Sequence, residues 1–138
     1  MKNIKNIDIY NKKVLIRVDY NVPVKNNNVI DNFRIKASLE TINYCINKGA
    51  SVILMSHRGR PGGVVDKEFT LEPIFFALED LTGKEIYFSD DCISDNAINF
   101  SNELMPGEIH LLENLRFYKG EQSNCFEFAK RLAEHGDI

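Results

Sequence analysis

The sequence has few cysteines and no excess of positive charge, and each absence excludes a class of protein. Cys45, Cys92 and Cys125 are far apart and form no C-x-x-C pair, so neither a disulfide framework nor a zinc knuckle is expected. The formal net charge is -3, whereas proteins that coat nucleic acid or anionic membranes carry a strong positive excess. We therefore expect reduced thiols, no nucleic-acid partner, and an anion site only where cations cluster locally.

Long apolar runs are also missing. No run approaches the ~18 residues needed to span a bilayer, and residues 1–11 are polar, unlike the apolar core of a signal peptide. The 138 residues are 43% hydrophobic and 27% charged, a composition typical of one soluble globular domain. We expect a single domain over residues 1–138, a cytoplasmic location and no membrane partner.

Several common catalytic motifs are absent. Gly83-Lys84 lacks the upstream glycine and the following Ser or Thr of a P-loop, and no G-x-G-x-x-G follows the first apolar segment. There is no nucleophile elbow and no pair of metal ligands at helical spacing. The sequence therefore offers no nucleotide site of its own and argues against a hydrolase or a zinc enzyme.

Four short apolar segments predict strands, at residues 14–18, 52–55, 85–88 and 108–112. They are nearly continuous in apolar character, which is typical of parallel strands covered on both faces. The last two each follow a glycine by a few residues, as a helix-to-strand loop would supply.

Helical periodicity separates these strands. Thr70 is predicted to cap the second helix, with Pro73 in its first turn, and Gly49 and Gly83 are predicted to end the first two. A weaker third helix is expected over residues 95–104. The predicted inward-facing residues are Ile35, Leu39, Ile42 and Ile46 in the first helix, and Ile74, Leu78 and Leu81 in the second.

A fourth helix is predicted near the end of the chain. Ser123 would cap it and Gly136 would close it. Its inward-facing residues are expected to be Phe126, Ala129, Leu132 and Ala133.

Because strand and helix alternate four times, the expected fold is α/β, a doubly wound, Rossmann-like parallel sheet with helices on both faces. No hairpin signal interrupts the alternation, and residues 26–28 are read as the tip of a turn.

Polar and basic residues follow three of the predicted strands, at residues 19–23, 56–63 and 113–117. Ligands of open parallel sheets bind beyond the carboxyl ends of the strands, so these segments would face one crevice. The middle segment offers the guanidinium groups of Arg58 and Arg60, chemistry suited to a phosphate or a carboxylate. A solvated basic loop is the alternative, and Arg116 at a separate strand end favours the anion site.

Other residues could complete such a site. Asp19 and Asn21 could hydrogen-bond a substrate hydroxyl, and Arg34, at the start of the first helix, could reach the same crevice. Each also has an ordinary interpretation: a loop acid for Asp19, a solvent-facing helix residue for Arg34. His110 is read as a packed strand residue rather than a ligand.

Three segments carry more specific patterns, at residues 17–23, 56–61 and 111–117. They read Arg-Val-Asp-Tyr-Asn-Val-Pro, Ser-His-Arg-Gly-Arg-Pro and Leu-Leu-Glu-Asn-Leu-Arg-Phe. In order and spacing they resemble the phosphoglycerate kinases. The resemblance runs over essentially the whole chain, including the Asp31-x-x-Arg34 turn, and covers about the first third of that family's two-domain length.

The resemblance implies reversible phosphoryl transfer between ATP and 3-phosphoglycerate, giving 1,3-bisphosphoglycerate and ADP in glycolysis. It implies that this chain is an incomplete N-terminal, substrate-binding domain, and that Mg-ATP or ADP is bound by a second domain absent from residues 1–138. Arg34 would be catalytic, contacting the substrate carboxylate and then the moving phosphoryl group. The substrate-binding residues it implies are Asp19 and Asn21 for the hydroxyl and carboxylate region, Arg34, and His57, Arg60 and Arg116 for the phosphate.

The sequence departs from the family pattern at Tyr20, where phenylalanine is usual, and at Arg58, where an apolar residue is more frequent. Because the nucleotide domain is missing, we expect the chain alone to be inactive. The alternative hypothesis is a stand-alone, non-catalytic anion-binding or regulatory module. The complete enzyme is expected to be a monomer, whereas this chain is expected to self-associate through an exposed sheet edge at residues 14–18.

Overall fold

The computed structural model describes residues 3–122 and 125–138. Four strands form one sheet in the order β1 (Lys13–Arg17), β4 (Ser51–Met55), β6 (Ile109–Leu112) and β5 (Ile86–Ser89), and every neighbouring pair is parallel. This confirms the α/β parallel sheet and the four strands predicted for it. Two further strands of two residues each are β2 (Val24–Lys25) and β3 (Asn28–Val29).

The helices are α1 (Phe33–Asn47), α2 (Glu72–Thr82), α3 (Asp95–Asn102), α4 (Lys119–Gln122) and α5 (Phe126–Ala133). One core lies between α1, α2 and the sheet, where Val52 and Leu54 of β4 are fully buried. A second core contains Ile53 of the same strand and Phe128 and Leu132 of α5. Alternate residues of β4 thus point into opposite cores, and helices cover both faces of the sheet, as predicted.

A short hairpin interrupts the expected alternation. β2 and β3 pair antiparallel through Val24 with Val29 and Lys25 with Asn28. The turn between them uses Asn26 and Asn27, whose φ angles are 53° and 62°. Asparagine tolerates this left-handed conformation better than most residues, so the predicted turn tip exists, but it belongs to a hairpin that was not predicted.

Two helix predictions need correction. Helix α2 begins at Glu72 and its N-cap is Leu71; the Thr70 hydroxyl accepts from the Glu72 N–H at 3.2 Å but also donates to Glu113 at 2.6 Å. Along α5 the buried residues are Phe128 and Leu132, one turn apart, whereas Phe126 is 75% exposed. The apolar face of α5 is therefore centred on this pair. Ala129 and Ala133 are exposed as well, and the predicted Ser123 cap lies outside the described residues.

The first strand lies at one edge of the sheet, and part of that edge is covered by the chain itself. The Asp137 N–H donates to the Lys13 carbonyl at 2.7 Å, and the Leu15 N–H donates to the Ile138 carbonyl at 2.9 Å. Self-association through the rest of the edge stays a prediction. Within the described residues, no helix has both the length and the apolar character needed to cross a bilayer.

A buried chain of hydrogen bonds joins β5, β6, α3 and the segment after α5. Ser89 Oγ lies 2.6 Å from His110 Nε2, and Ser101 Oγ lies 2.8 Å from His110 Nδ1 and 2.6 Å from His135 Nδ1. His135 Nε2 lies 2.6 Å from the Cys92 carbonyl. His110 is fully buried, so the interpretation as a packed strand residue is confirmed.

These contacts determine the tautomer of both neutral histidines. The Cys92 carbonyl can only accept, so His135 carries its proton on Nε2 and its Nδ1 accepts from Ser101. The Ser101 oxygen must then accept from His110 Nδ1, which leaves His110 Nε2 to accept from Ser89. Protonating His110 on Nε2 would require the Ser89 hydroxyl to turn and accept, and protonating His135 on Nδ1 would remove the hydrogen bond that Ser101 donates to it. Burial and the nearby His135 lower the pKa of His110 to about 3, and burial lowers the pKa of His135 as well.

This arrangement predicts stability that falls in mild acid. Below the ordinary histidine pKa of 6.5 the unfolded chain binds a proton that folded His110 does not. The free energy of unfolding should therefore decrease as the pH falls from 6.5 toward 3, by up to about 1.4 kcal/mol per pH unit from His110. Urea unfolding at a series of pH values measures this slope. His110→Gln should flatten it, and equal slopes for the two proteins would contradict the prediction.

Candidate anion site at the strand ends

The carboxyl ends of β1, β4 and β6 meet around Ser56. The Tyr20 N–H donates to Ser56 Oγ at 2.9 Å, and the Leu115 N–H donates to the Ser56 carbonyl at 2.9 Å. Ser56 is fully buried. A single residue after β4 thus binds the segments that follow both neighbouring strands, and the three predicted segments share one edge of the sheet.

The first group of predicted site residues is joined by direct hydrogen bonds. Arg34 Nη1 lies 3.2 Å from Asp19 Oδ1 and 2.9 Å from the Asn21 carbonyl. The side chains of Arg34 and Asp19 are 52% and 63% exposed, so their ion pair contributes little to stability. An anion approaching Arg34 would compete with Asp19 for a guanidinium group that already faces solvent.

The second group lies on the glycine-rich loop after β4 and on the turn after β6. His57 and Arg116 are half-buried, and Arg60 is exposed. The Gly63 N–H donates to the Arg116 carbonyl at 3.1 Å, which ties the loop to the turn. The Gly59 N–H donates to Asn21 Oδ1 at 3.0 Å and so connects this group with the first. The structure brings both groups to one edge of the sheet.

Arg58 does not belong to this surface. The sequence offered it as an anion-binding guanidinium, but the structure contradicts that interpretation, because its side chain turns inward and is 9% exposed. Its Nε donates to the Thr70 carbonyl at 3.2 Å and its Nη2 donates to the Glu68 carbonyl. Burial lowers the pKa of Arg58, while the carboxylates of Glu68 and Glu113 raise it.

Two buried polar residues after β6 were missed as contributors to the site. Glu113 Oε1 accepts from the Leu71 N–H at 2.7 Å and from the Asn114 N–H at 2.9 Å. Asn114 Nδ2 donates to the Arg58 carbonyl at 2.7 Å and to the Phe69 carbonyl at 2.8 Å. The signal for both was a pair of polar residues directly after a fully buried strand, where burial demands hydrogen-bond partners.

A cavity of about 790 Å³ lies beside this surface. Its lining contains Lys67 and three carboxylates, so its charge does not suit a phosphate. None of the six predicted substrate-binding residues lines it. A smaller cavity of about 180 Å³ includes Asn21 and Arg34. We therefore locate the candidate anion site by its cations rather than by cavity volume.

The loop glycines allow a sharp test of local packing. Gly59 and Gly62 both have left-handed φ angles, 66° and 77°, but a Cβ at Gly59 would overlap the Phe69 ring whereas one at Gly62 would meet nothing within 4 Å. Gly62→Ala should cost about 1 kcal/mol from the backbone conformation alone. Gly59→Ala should cost about 1–3 kcal/mol more because of the overlap. Urea unfolding compares them, and equal losses would contradict this packing.

Replacing Asn114 should be far more costly than replacing a surface asparagine. Asn114→Ala leaves the Arg58 and Phe69 carbonyls without a donor, and the Arg58 and Arg116 N–H groups without an acceptor. We expect a loss of about 3 kcal/mol in the free energy of unfolding. Asn43→Ala, on the exposed side of α1, is the control and should change it by less than about 0.5 kcal/mol. Similar denaturation midpoints for the two variants would argue against a structural role for Asn114.

Comparison with known proteins shows the family to which the chain is related. The family model described as phosphoglycerate kinase matches residues 4–138. The phosphoglycerate kinase of Borrelia hermsii is 42% identical over 138 residues, all of this chain and 35% of the relative. That of Desulforapulum autotrophicum is 47% identical over 135 residues, 97% of this chain and 34% of the relative.

Solved structures of phosphoglycerate kinases are also similar to this chain. The phosphoglycerate kinase of Coxiella burnetii matches with a TM-score of 0.85 and 38% identity, covering 98% of this chain and 33% of that one. The enzyme of Pyrococcus horikoshii matches with a TM-score of 0.88 and 31% identity, covering 99% of this chain and 35% of that one. The chain thus spans about a third of the length of the relatives it matches. It belongs to the phosphoglycerate kinase family.

Proposed function

We propose that this chain provides the 3-phosphoglycerate site of a phosphoglycerate kinase. The observation that carries the proposal is the junction of the three motif segments at one sheet edge. Ser56 binds the segments after β1 and β6, the Gly59 N–H binds Asn21, and the Gly63 N–H binds the Arg116 carbonyl. These contacts join the segments that carry the predicted cations, in a chain whose net charge is -3.

Each predicted residue has a role suited to its chemistry. His57, Arg60 and Arg116 would hold the phosphate, since guanidinium groups bind phosphate oxygens in pairs. Asp19 and Asn21 would bind the hydroxyl and carboxylate region. Their hydrogen bonds to Arg34 and Gly59 leave other acceptor positions for a ligand.

Arg34 would act on the reaction itself. In the proposed reaction a carboxylate oxygen of 3-phosphoglycerate attacks the γ-phosphorus of ATP. The new O–P bond forms as the bond to the bridging oxygen breaks, and ADP leaves with that electron pair. Negative charge gathers on the equatorial oxygens in the transition state, where a guanidinium group lowers the barrier. The attacking carboxylate is already ionised, so the site needs no general base.

The nucleotide and its metal ion are assigned to the part of the relatives that this chain does not span. Within residues 3–122 and 125–138, no three His, Cys, Asp or Glu side chains are grouped so that they could hold a metal ion. The proposal gives this chain no metal ligand and no contact with Mg-ATP or ADP. It also places the protein in the cytoplasm, where glycolysis occurs, with 3-phosphoglycerate as its ligand.

Titration with 3-phosphoglycerate tests the site. Arg60→Ala and Arg116→Ala should each weaken binding about tenfold, because each removes charged hydrogen bonds, and added salt should weaken it further. Calorimetry gives the affinity, and amide NMR shifts give the location. Arg131→Ala is the control, since Arg131 is already engaged by the Ile93 carbonyl and by Asp95 and Glu134. Unchanged affinity in the Arg60→Ala and Arg116→Ala double variant would refute the assignment.

Turnover separates the proposed enzyme from a stand-alone anion-binding module. The 138-residue chain alone should show no ATP-dependent turnover. Adding the remaining two thirds of a related phosphoglycerate kinase, covalently or in trans, should restore it, and Arg34→Ala should abolish the restored activity. Binding without any restored turnover would favour the module. Turnover by the chain alone would contradict the assignment of the nucleotide to another domain.

A further inference from the structure

The inward-turned Arg58 holds the segment that supports the candidate site. Its guanidinium group donates to the carbonyls of Glu68 and Thr70, on either side of Phe69. It also lies over the Phe69 ring, with 5.8 Å between the guanidinium carbon and the ring centroid. Residues 68–70 are thus fixed at two carbonyls and one aromatic face by a single side chain.

The Phe69 ring, whose position is fixed by Arg58, packs against the glycine-rich loop. It lies so close to Gly59 that a Cβ there would overlap it. Gly59 has a φ angle of 66°, and its N–H points to Asn21 Oδ1 at 3.0 Å. The backbone of Gly59 is therefore held between the Phe69 ring on one side and the Asn21 side chain on the other.

Asn21 extends the series of contacts to the first group of site residues. Its carbonyl accepts from Arg34 Nη1 at 2.9 Å, and Arg34 also binds Asp19. A continuous path of contacts runs from Arg58 through Phe69, Gly59 and Asn21 to Arg34. Every step is a hydrogen bond or a packing contact between named atoms.

We propose that Arg58 is a positioning residue of the anion site, acting through Phe69 and Gly59 on Asn21 without touching the ligand. The proposal rests on the proposed function for the identity of the ligand, but its geometric part is independent of it. The buried charge is compensated locally, because Glu68 and Glu113 lie close enough to raise the pKa of Arg58 against the effect of burial. Arg58 can thus remain charged and binds carbonyls rather than phosphate.

The test uses Arg58→Met, which keeps the length of the side chain and removes its donors. Amide hydrogen exchange should accelerate at Gly59 at least tenfold relative to the amides of β4, because Phe69 no longer holds the loop against Asn21. The affinity for 3-phosphoglycerate should fall about tenfold. Arg131→Met is the matched control, since Arg131 also binds a backbone carbonyl, that of Ile93, and it should leave Gly59 exchange unchanged.

A double-variant cycle separates positioning from general loss of stability. Asn21→Ala removes the acceptor of the Gly59 N–H. If Arg58 acts through this bond, adding Arg58→Met to Asn21→Ala should cause little further loss of affinity. Fully additive losses would overturn the proposal, as would unchanged Gly59 exchange in Arg58→Met or the same acceleration in Arg131→Met.

The proposal can still be tested if Arg58→Met does not fold or if the unaltered chain does not bind 3-phosphoglycerate. If Arg58→Met does not fold, Arg58→Lys keeps the charge but not the planar pair of donors, and it should still accelerate Gly59 exchange. Slow Gly59 exchange in a folded Arg58→Lys protein would overturn the proposal. If the unaltered chain does not bind 3-phosphoglycerate, the proposed function fails, while Gly59 exchange still decides the role of Arg58.

Discussion

The geometry of the site depends on one buried carboxamide, that of Asn114. It accepts from the N–H groups of Arg58 and Arg116 and donates to the carbonyls of Arg58 and Phe69. All the hydrogen-bonding groups of the side chain are thereby used in a place with no solvent exposure. A single side chain thus fixes the two turns that carry the predicted phosphate-binding cations, as well as the segment beneath them.

The cations at this edge of the sheet divide into two classes by environment. Arg58 is buried, binds carbonyls and has acidic neighbours. Arg34 and Arg60 face solvent, where an ion pair contributes little to folding and a guanidinium group remains available for a ligand. Buried charge therefore contributes to the shape of the loop, whereas exposed charge would be available to attract the proposed anion. The same residue type serves both purposes within one short loop.

The sequence predicted the fold well because its main strands and helices are encoded by apolar runs and helical periodicity, which extend over several neighbouring residues. The apolar run at residues 52–55 and the helical periodicity ending at Gly49 both correspond to observed elements. The β2–β3 hairpin was missed because strands of two residues carry no periodicity. The inward orientation of the Arg58 side chain could not be predicted from the sequence. It depends on the Glu68 and Thr70 carbonyls, 10 and 12 residues away, and on the carboxylate of Glu113 at the end of another strand.

The site could be predicted from the sequence only in part, again because some of its contacts join residues far apart in the chain. Proximity of the strand ends follows from parallel pairing, so the convergence of Asp19, His57 and Arg116 could be expected from the sequence. The bonds that set their relative positions are made by Ser56 and Asn114, whose short polar side chains have no distinctive pattern. Such residues become recognisable only when burial is known, because burial is what forces each of their polar atoms to find a partner. The positions of the predicted site residues thus depend on the fully buried polar side chains of Ser56 and Asn114.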